Sequence, residues 1–164
     1  MSMIKSIPLF LFLLGLVDKE VTIVGTAESS VAAGSPASKL IDGKGLDGIW
    51  SNEKGCAHTS GNSIQWFSLE LEMPEKITRV QIANRVDCCS DRGQNVHITI
   101  GSSKVYDPNE PLCLPEIPKL VGEPGLQDYV CTGDLHEGKF VKISRLGMLN
   151  LCEVKVFTHQ HQGK

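Results

Sequence analysis

The sequence has few aromatic residues, no excess of basic ones and, beyond its first 17 positions, no long apolar run. Each shortage excludes something. A net charge of −3 with no block of like charges leaves no basic face of the kind nucleic-acid binding requires. The one apolar stretch, Ile7 to Val17, is shorter than the about 20 residues that span a bilayer. No N-x-S/T sequon occurs, so N-glycosylation is not expected. No C-x2-C pair is present, which argues against a zinc site. No G-x-S-x-G, no H-E-x-x-H and no plausible pair of catalytic carboxylates appears, so a hydrolase reading finds no support. Helical periodicity is missing too, and without crossover helices a parallel α/β sheet is disfavoured.

What is there begins with a signal. Lys5 precedes the apolar stretch, and together they read as a secretory signal peptide over residues 1–17, with cleavage between Gly15 and Glu20. Residues 20–158 form one domain, and 159–164, with two histidines, a disordered tail. Secretion makes the six cysteines a disulfide framework, with fifteen possible pairings. Within the domain the apolar residues alternate. A first short strand lies in Val21 to Ser30, and "QWFSLELEMP" carries Phe67, Leu69 and Leu71 on one face. "KITRVQIAN", "NVHITIG", "KFVKISRL" and "NLCEVKVFT" follow, the last with Cys152, Val154 and Val156 alternating. Trp66 belongs to the core of its strand, whereas His97 and His136 are ordinary strand and turn residues. Asp107 to Gly125, with five prolines, is an irregular excursion. The pattern predicts an all-β sandwich or barrel.

The stretch "NRVDCCSDRG" holds two adjacent cysteines in a charged loop. Consecutive Cα atoms lie about 3.8 Å apart, whereas ordinary disulfides span about 4.4–6.8 Å. A Cys88–Cys89 bond must therefore distort its peptide, be comparatively easy to reduce and add little to stability. The other reading sends each cysteine to a distant partner. If the bond forms, it makes a rigid apolar knob ringed by Arg85, Asp87, Asp91 and Arg92, a surface suited to a sugar.

The spacing around this loop carries a resemblance. His58 is followed by 26 residues, Arg85, one residue, Asp87, four residues and Arg92, with the cysteine pair inside the last gap. This resembles the motif of the F-type (fucose-binding) lectins. "GTAESS", "ASKLIDG", "CAHTSG", "VQIANRVDCCSDR" and "LCEVKVF" resemble further landmarks of that family, in order. The resemblance implies a jelly-roll antiparallel β-sandwich of the discoidin or galactose-binding-domain kind. It implies a secreted, non-catalytic lectin for terminal L-fucose on fucosylated glycans, with innate recognition among the family's roles. His58, Arg85 and Arg92 would hydrogen-bond the sugar, with the imidazole neutral. Cys88 and Cys89 would pack on its ring, and Asp87 would orient an arginine. Cys56 would pair with Cys152, and Cys113 with Cys131. A structural Ca²⁺ would be held by Asp47 and Glu153 with backbone oxygens of Lys44, Ile49 and Cys152. The chain departs from the pattern where it has Lys44 for a usual Asn and Gly55 for a usual Ser, and its loop from Asp42 to Cys56 is a few residues short. Trp50, in that loop, is either an apolar seat for the sugar's methyl group or an anchor tucked into the core. A homo-oligomer would supply avidity. The competing reading is a discoidin-like extracellular adhesion module that binds protein or lipid, which would not need His58, Arg85 and Arg92 together.

Overall fold

Alternating Val, Ile and Leu bury one face of a strand, and a chain dominated by such runs must stack strand on strand. In the computed structural model, which describes residues 16–50 and 55–161, the outcome is nine strands, two short 3-10 turns and, among the described residues, no α-helix. The strands are β1 (Leu16–Glu20), β2 (Ile23–Glu28), β3 (Ala57–His58), β4 (Ile64–Asn84), β5 (Gln94–Gly101), β6 (Ile117–Lys119), β7 (Leu126–Val130), β8 (Glu137–Leu146) and β9 (Asn150–His161). All their pairings are antiparallel.

The 21-residue β4 belongs to both layers. Its first half pairs with β2 and β8, and its second half with β7 and β9. The remaining strands flank these, so the sandwich is one sheet curled around one core. Phe67, Leu69, Ile98, Ile100, Val141 and Ile143 come from one side, and Val80, Ile82, Val154 and Val156 from the other. Each such residue contributes about 1.5–3 kcal/mol on burial. The expected all-β antiparallel sandwich is therefore the observed fold.

Several local expectations give way. "QWFSLELEMP" and "KITRVQIAN" are one strand rather than two, because exposed Pro74 sits in a register break between Glu70 and Glu75, where no ladder bond is required of it. Trp66 is half-buried and outside the core, since the alternation that buries Phe67 turns its neighbour to the other face. The alternation of Cys152, Val154 and Val156 breaks as well. A register shift opposite Ala83 and Asn84 inserts Cys152 as an extra residue, so Leu151 and Val154 both reach the core. The proline-rich excursion is not wholly irregular, because β6 pairs with β5 and Leu112 bridges to Thr99. The tail expected from 159 is strand as far as His161, where Gln160 and His159 pair with Val17 and Asp18 of β1. Residues 1–15 of the expected signal peptide lie outside the described residues, and Leu16 and Val17 belong to β1.

The three disulfides are Cys56–Cys152, Cys88–Cys89 and Cys113–Cys131, so the adjacent pair bonds to itself.

Candidate functional site

One end of the sandwich gathers the polar loops. β3 is only two residues long, and what holds His58 is its surroundings. Ala57 and His58 pair with Leu151 and Asn150 of β9. His58 N–H donates to the Ser35 carbonyl at 2.9 Å, and the His58 carbonyl accepts from Ala32 N–H at 3.0 Å. The Cys56–Cys152 bond closes the same pair of strands two residues away. His58 is 5% exposed.

Arg85 leaves the end of β4 and folds back on its own loop. Its Nε donates to Asp87 Oδ1 at 2.7 Å and its Nη2 to Oδ2 at 3.3 Å, a forked grip that fixes the guanidinium plane. Nη1 is left 3.4 Å from His58 Nε2. A guanidinium only donates, so the ring nitrogen facing it carries the lone pair. The Arg85 hydrogen bond is the main cause holding the Asp87 carboxyl below its usual range, with a further bond from the Trp50 backbone. Burial, then the Arg85 and Arg92 charges, lower the His58 pKa to about 4, so its imidazole is neutral at physiological pH.

The knob follows at once. Cys88 is exposed and Cys89 half-buried, and Cys89 holds a left-handed backbone (φ 61°). That turn starts the 3-10 segment Ser90–Gly93, whose Arg92 N–H donates to the Cys89 carbonyl at 3.0 Å. With the Asn150 amide oriented to satisfy both of its ends, its oxygen accepts from Arg92 Nη1 at 3.1 Å and its nitrogen donates to the Leu149 carbonyl at 3.1 Å.

Asn150 escaped the sequence reading. It is 1% exposed and sits directly across the ladder from His58. A signal for it existed: if Cys56 bonds Cys152 across an antiparallel pair, position 58 faces position 150. Trp50 resolves in a mixed way. Its ring stacks on His58 at 5.3 Å between centroids, Arg85 lies 5.1 Å over it, and its Nε1 donates to Ser35 Oγ at 3.4 Å. Half-buried against Cys56, Ala83 and Cys152, it is an anchor that also walls the cluster.

Of the expected cation ligands, Glu153 is set apart by its surroundings. The bulge turns it inward to 3% exposure, where Gly43 N–H donates to both its oxygens at 3.1–3.2 Å. No lysine or arginine pairs with it among the described residues. Burial, and secondarily Asp42, push its pKa up to about 7, against the pull of the Gly43 and Gly45 amides and of the Lys155 charge. The loop backbone passes directly over Cys152, since a Cβ on Gly45 would lie 2.0 Å from the Cys152 carbonyl oxygen. Asp47 Oδ1 accepts from Ile49 N–H at 3.1 Å, and Asp42 Oδ1 from Lys44 N–H at 2.9 Å. No cluster of three metal-binding side chains exists among the described residues. A buried carboxylate, a carbonyl and a close loop backbone nevertheless make an oxygen set that suits a hard cation.

Residues 39–113 match the family described as NedA-like, galactose-binding domain. The chain is 33% identical to Fucolectin-6 of Anguilla japonica over 124 residues, 74% of this chain and 63% of that one. It is 30% identical to Fucolectin of Anguilla anguilla over 151 residues, 87% of this chain and 92% of that one. Among solved structures it resembles the F-lectin (fucolectin) from the serum of Morone saxatilis (striped bass), with a TM-score of 0.70 at 25% identity, covering 84% of this chain and 46% of that one.

Proposed function

The chain belongs to the F-type lectin (fucolectin) family, and we propose that it is a secreted lectin whose His58, Arg85 and Arg92 bind a terminal L-fucose. Its relatives are lectins, so the domain is a carbohydrate-binding module and the enzyme reading falls away. The observation that carries the proposal is the pairing of Arg85 Nη1 with the unprotonated His58 Nε2 beside an exposed cysteine knob. A sugar hydroxyl inserted there donates to Nε2 and accepts from Nη1, using both of its hydrogen-bonding capacities. Arg92, held by Asn150, supplies further donors to the ring and hydroxyl oxygens, and the Cys88–Cys89 knob meets an apolar face of the ring. Asp87 and Asn150 act as positioning residues. Three disulfides suit an extracellular setting, where recognition of fucosylated surfaces in innate defence is the role we assign. A glycan array with free L-fucose as competitor tests this: fucose-inhibitable hits support it, and folded protein without such hits overturns it.

The pH profile of binding has a definite sign. An ordinary histidine protonates through pH 6.5, but His58 stays neutral to about 4. Fucose affinity is therefore expected to hold from pH 8 to 5 and to fall as pH passes 4. Folding stability moves in the same direction over a different window. Between pH 6.5 and 4 the unfolded chain takes the proton and the folded one does not, so stability falls by about 3 kcal/mol on acidification. The variant Asn150→Asp brings a carboxylate beside Arg92 and His58, and its binding loss is expected at higher pH. Titration by calorimetry at several pH values decides this, and a wild-type midpoint near 6.5 would remove the buried neutral imidazole from the reading.

The same reading places a structural calcium ion against Glu153, with the Cys152 carbonyl, the backbone oxygens of Lys44 and Ile49, and Asp47. The ion would neutralise a buried carboxylate and tie down the loop that leads to Trp50. Added Ca²⁺ is expected to raise the Tm of the wild type and to leave that of Glu153→Gln unchanged. A wild-type Tm indifferent to Ca²⁺ and to chelator would remove the ion.

A further inference from the structure

The Cys88–Cys89 bond differs from the other two disulfides in access and in what it closes. Cys56, Cys152, Cys113 and Cys131 are all buried, so a reagent reaches their sulfurs only when the core opens. Cys88 is exposed and Cys89 half-buried, on a surface loop. Attack on a disulfide requires access to a sulfur, so a thiol in solution meets this bond first. Linkage separates the bonds further. Whatever a disulfide adds to the stability of a fold, the fold returns to it as resistance to reduction. Cys56–Cys152 spans 96 residues and Cys113–Cys131 spans 18, and each ties distant parts of the chain. Cys88–Cys89 joins neighbours, so the fold has almost nothing to return to it. Cys89 also holds a left-handed backbone, φ 61°, a conformation that a residue with a side chain leaves at a gain once the bond opens. The sugar cluster feels that change. The Cys89 carbonyl accepts from Arg92 N–H at 3.0 Å and starts the turn that carries Arg92. Opening the bond therefore removes the apolar knob and loosens the start of that turn together.

We infer that the Cys88–Cys89 bond is a redox switch on the sugar site: a dithiol reductant opens it, affinity falls, and reoxidation restores it. The inference rests on the fucose reading above. The reaction is thiol–disulfide exchange. A thiolate of the reductant attacks the exposed Cys88 Sγ, the bond to Cys89 breaks, and Cys89 leaves as a thiolate that takes up a proton. The second thiol of the reductant then attacks its own sulfur in the mixed disulfide and releases Cys88, which is protonated in turn. Two electrons and two protons have passed to the cysteine pair, and the reductant has closed to a disulfide of its own. Around the turn Arg85, Arg92 and Arg145 stand against the carboxylates of Asp87 and Asp91, so the approaching thiolate meets no net negative charge. Linkage also runs from the sugar to the bond. If the oxidised protein binds fucose about tenfold more tightly than the reduced one, saturating fucose makes the bond about tenfold harder to reduce.

The test equilibrates the oxidised protein with reduced and oxidised dithiothreitol in stepped ratios, without sugar and with saturating L-fucose. Free thiols are alkylated and assigned by peptide mass, and fucose affinity is titrated at each ratio. Cys88 and Cys89 are expected to be alkylated at ratios that leave Cys56–Cys152 and Cys113–Cys131 intact. Affinity falls about tenfold over the same ratios and returns on reoxidation, and fucose raises the ratio for half-reduction by about the same factor. Cys88→Ser/Cys89→Ser binds at the level of the reduced protein and ignores the ratio. Three results overturn the switch: affinity unchanged after Cys88 and Cys89 are reduced, the buried bonds opening at the same ratio or a lower one, or a half-reduction ratio indifferent to fucose. Failure of the fucose reading itself shows separately, as an absence of binding by the oxidised protein before any reductant is added, and the switch falls with it.

Discussion

Replacing Arg85 by alanine is expected to weaken fucose binding about a hundredfold while the domain stays folded. Hydrogen bonds to charged groups contribute roughly 1.5–3 kcal/mol each, and the loss of two leaves a deficit of about 3 kcal/mol or more. The variant also removes the fixed donor beside His58 Nε2, so a sugar hydroxyl loses one of its two partners there. The fold suffers less. Asp87 is exposed and returns to water when its arginine is gone, and the contact of Arg85 with the Trp50 ring is a modest term. A Tm within a few degrees of wild type is expected. Arg85→Lys is informative because it keeps the charge. An ammonium has no fork, so it reaches Asp87 or the sugar but does not hold the plane that serves both. Affinity between wild type and alanine is the expected result. Calorimetric titration with L-fucose, paired with thermal melts, reads both quantities. Undiminished affinity in Arg85→Ala would move the sugar elsewhere on the domain, and no fucose binding even in the wild type would favour the adhesion-module reading.

That cluster could be anticipated because its key residues lie on one loop and one short strand at fixed spacing. Spacing along a chain reports local geometry well. Asn150 lies 58 positions beyond Arg92 and enters the site only through the β3–β9 ladder, which no local pattern encodes. The strands were legible from alternation wherever one face is buried, as at Phe67, Leu69 and Leu71. Alternation misleads where the ladder slips. The bulge at Cys152 changes the parity of β9, sends Glu153 inward and gives Leu151 to the core. Pro74 reads as the end of a strand, but a register break lets β4 run through it. The pairing of β1 with the end of β9 was invisible for a different reason. All five residues of β1 are exposed, so no buried face marks it as a strand.

The disulfides separate stability from function more sharply than any other pair of sites. Cys56→Ala with Cys152→Ala is expected to cost about 4.7 kcal/mol on the chain-entropy account, since the bond closes a 96-residue span. For a domain of this size that corresponds to a fall in Tm of roughly 10–20 °C. Both sulfurs are fully buried, so their loss also leaves a small void. Fucose binding should fall with it, because the bond pins the two-residue strand that carries His58 opposite Asn150. Cys88→Ser with Cys89→Ser should behave in the opposite way. The closed loop there is one residue apart and cross-links nothing distant, so Tm is expected to move by only a few degrees. Yet an apolar knob becomes two flexible hydroxyls, and about tenfold of affinity should disappear with the packed sugar face, a loss of ~1.4 kcal/mol. Differential scanning calorimetry and sugar titration on the two variants draw the contrast. A large Tm loss in the Cys88/Cys89 variant would make that bond a structural element. Unchanged affinity in it would mean that the sugar is held by the histidine and the arginines alone.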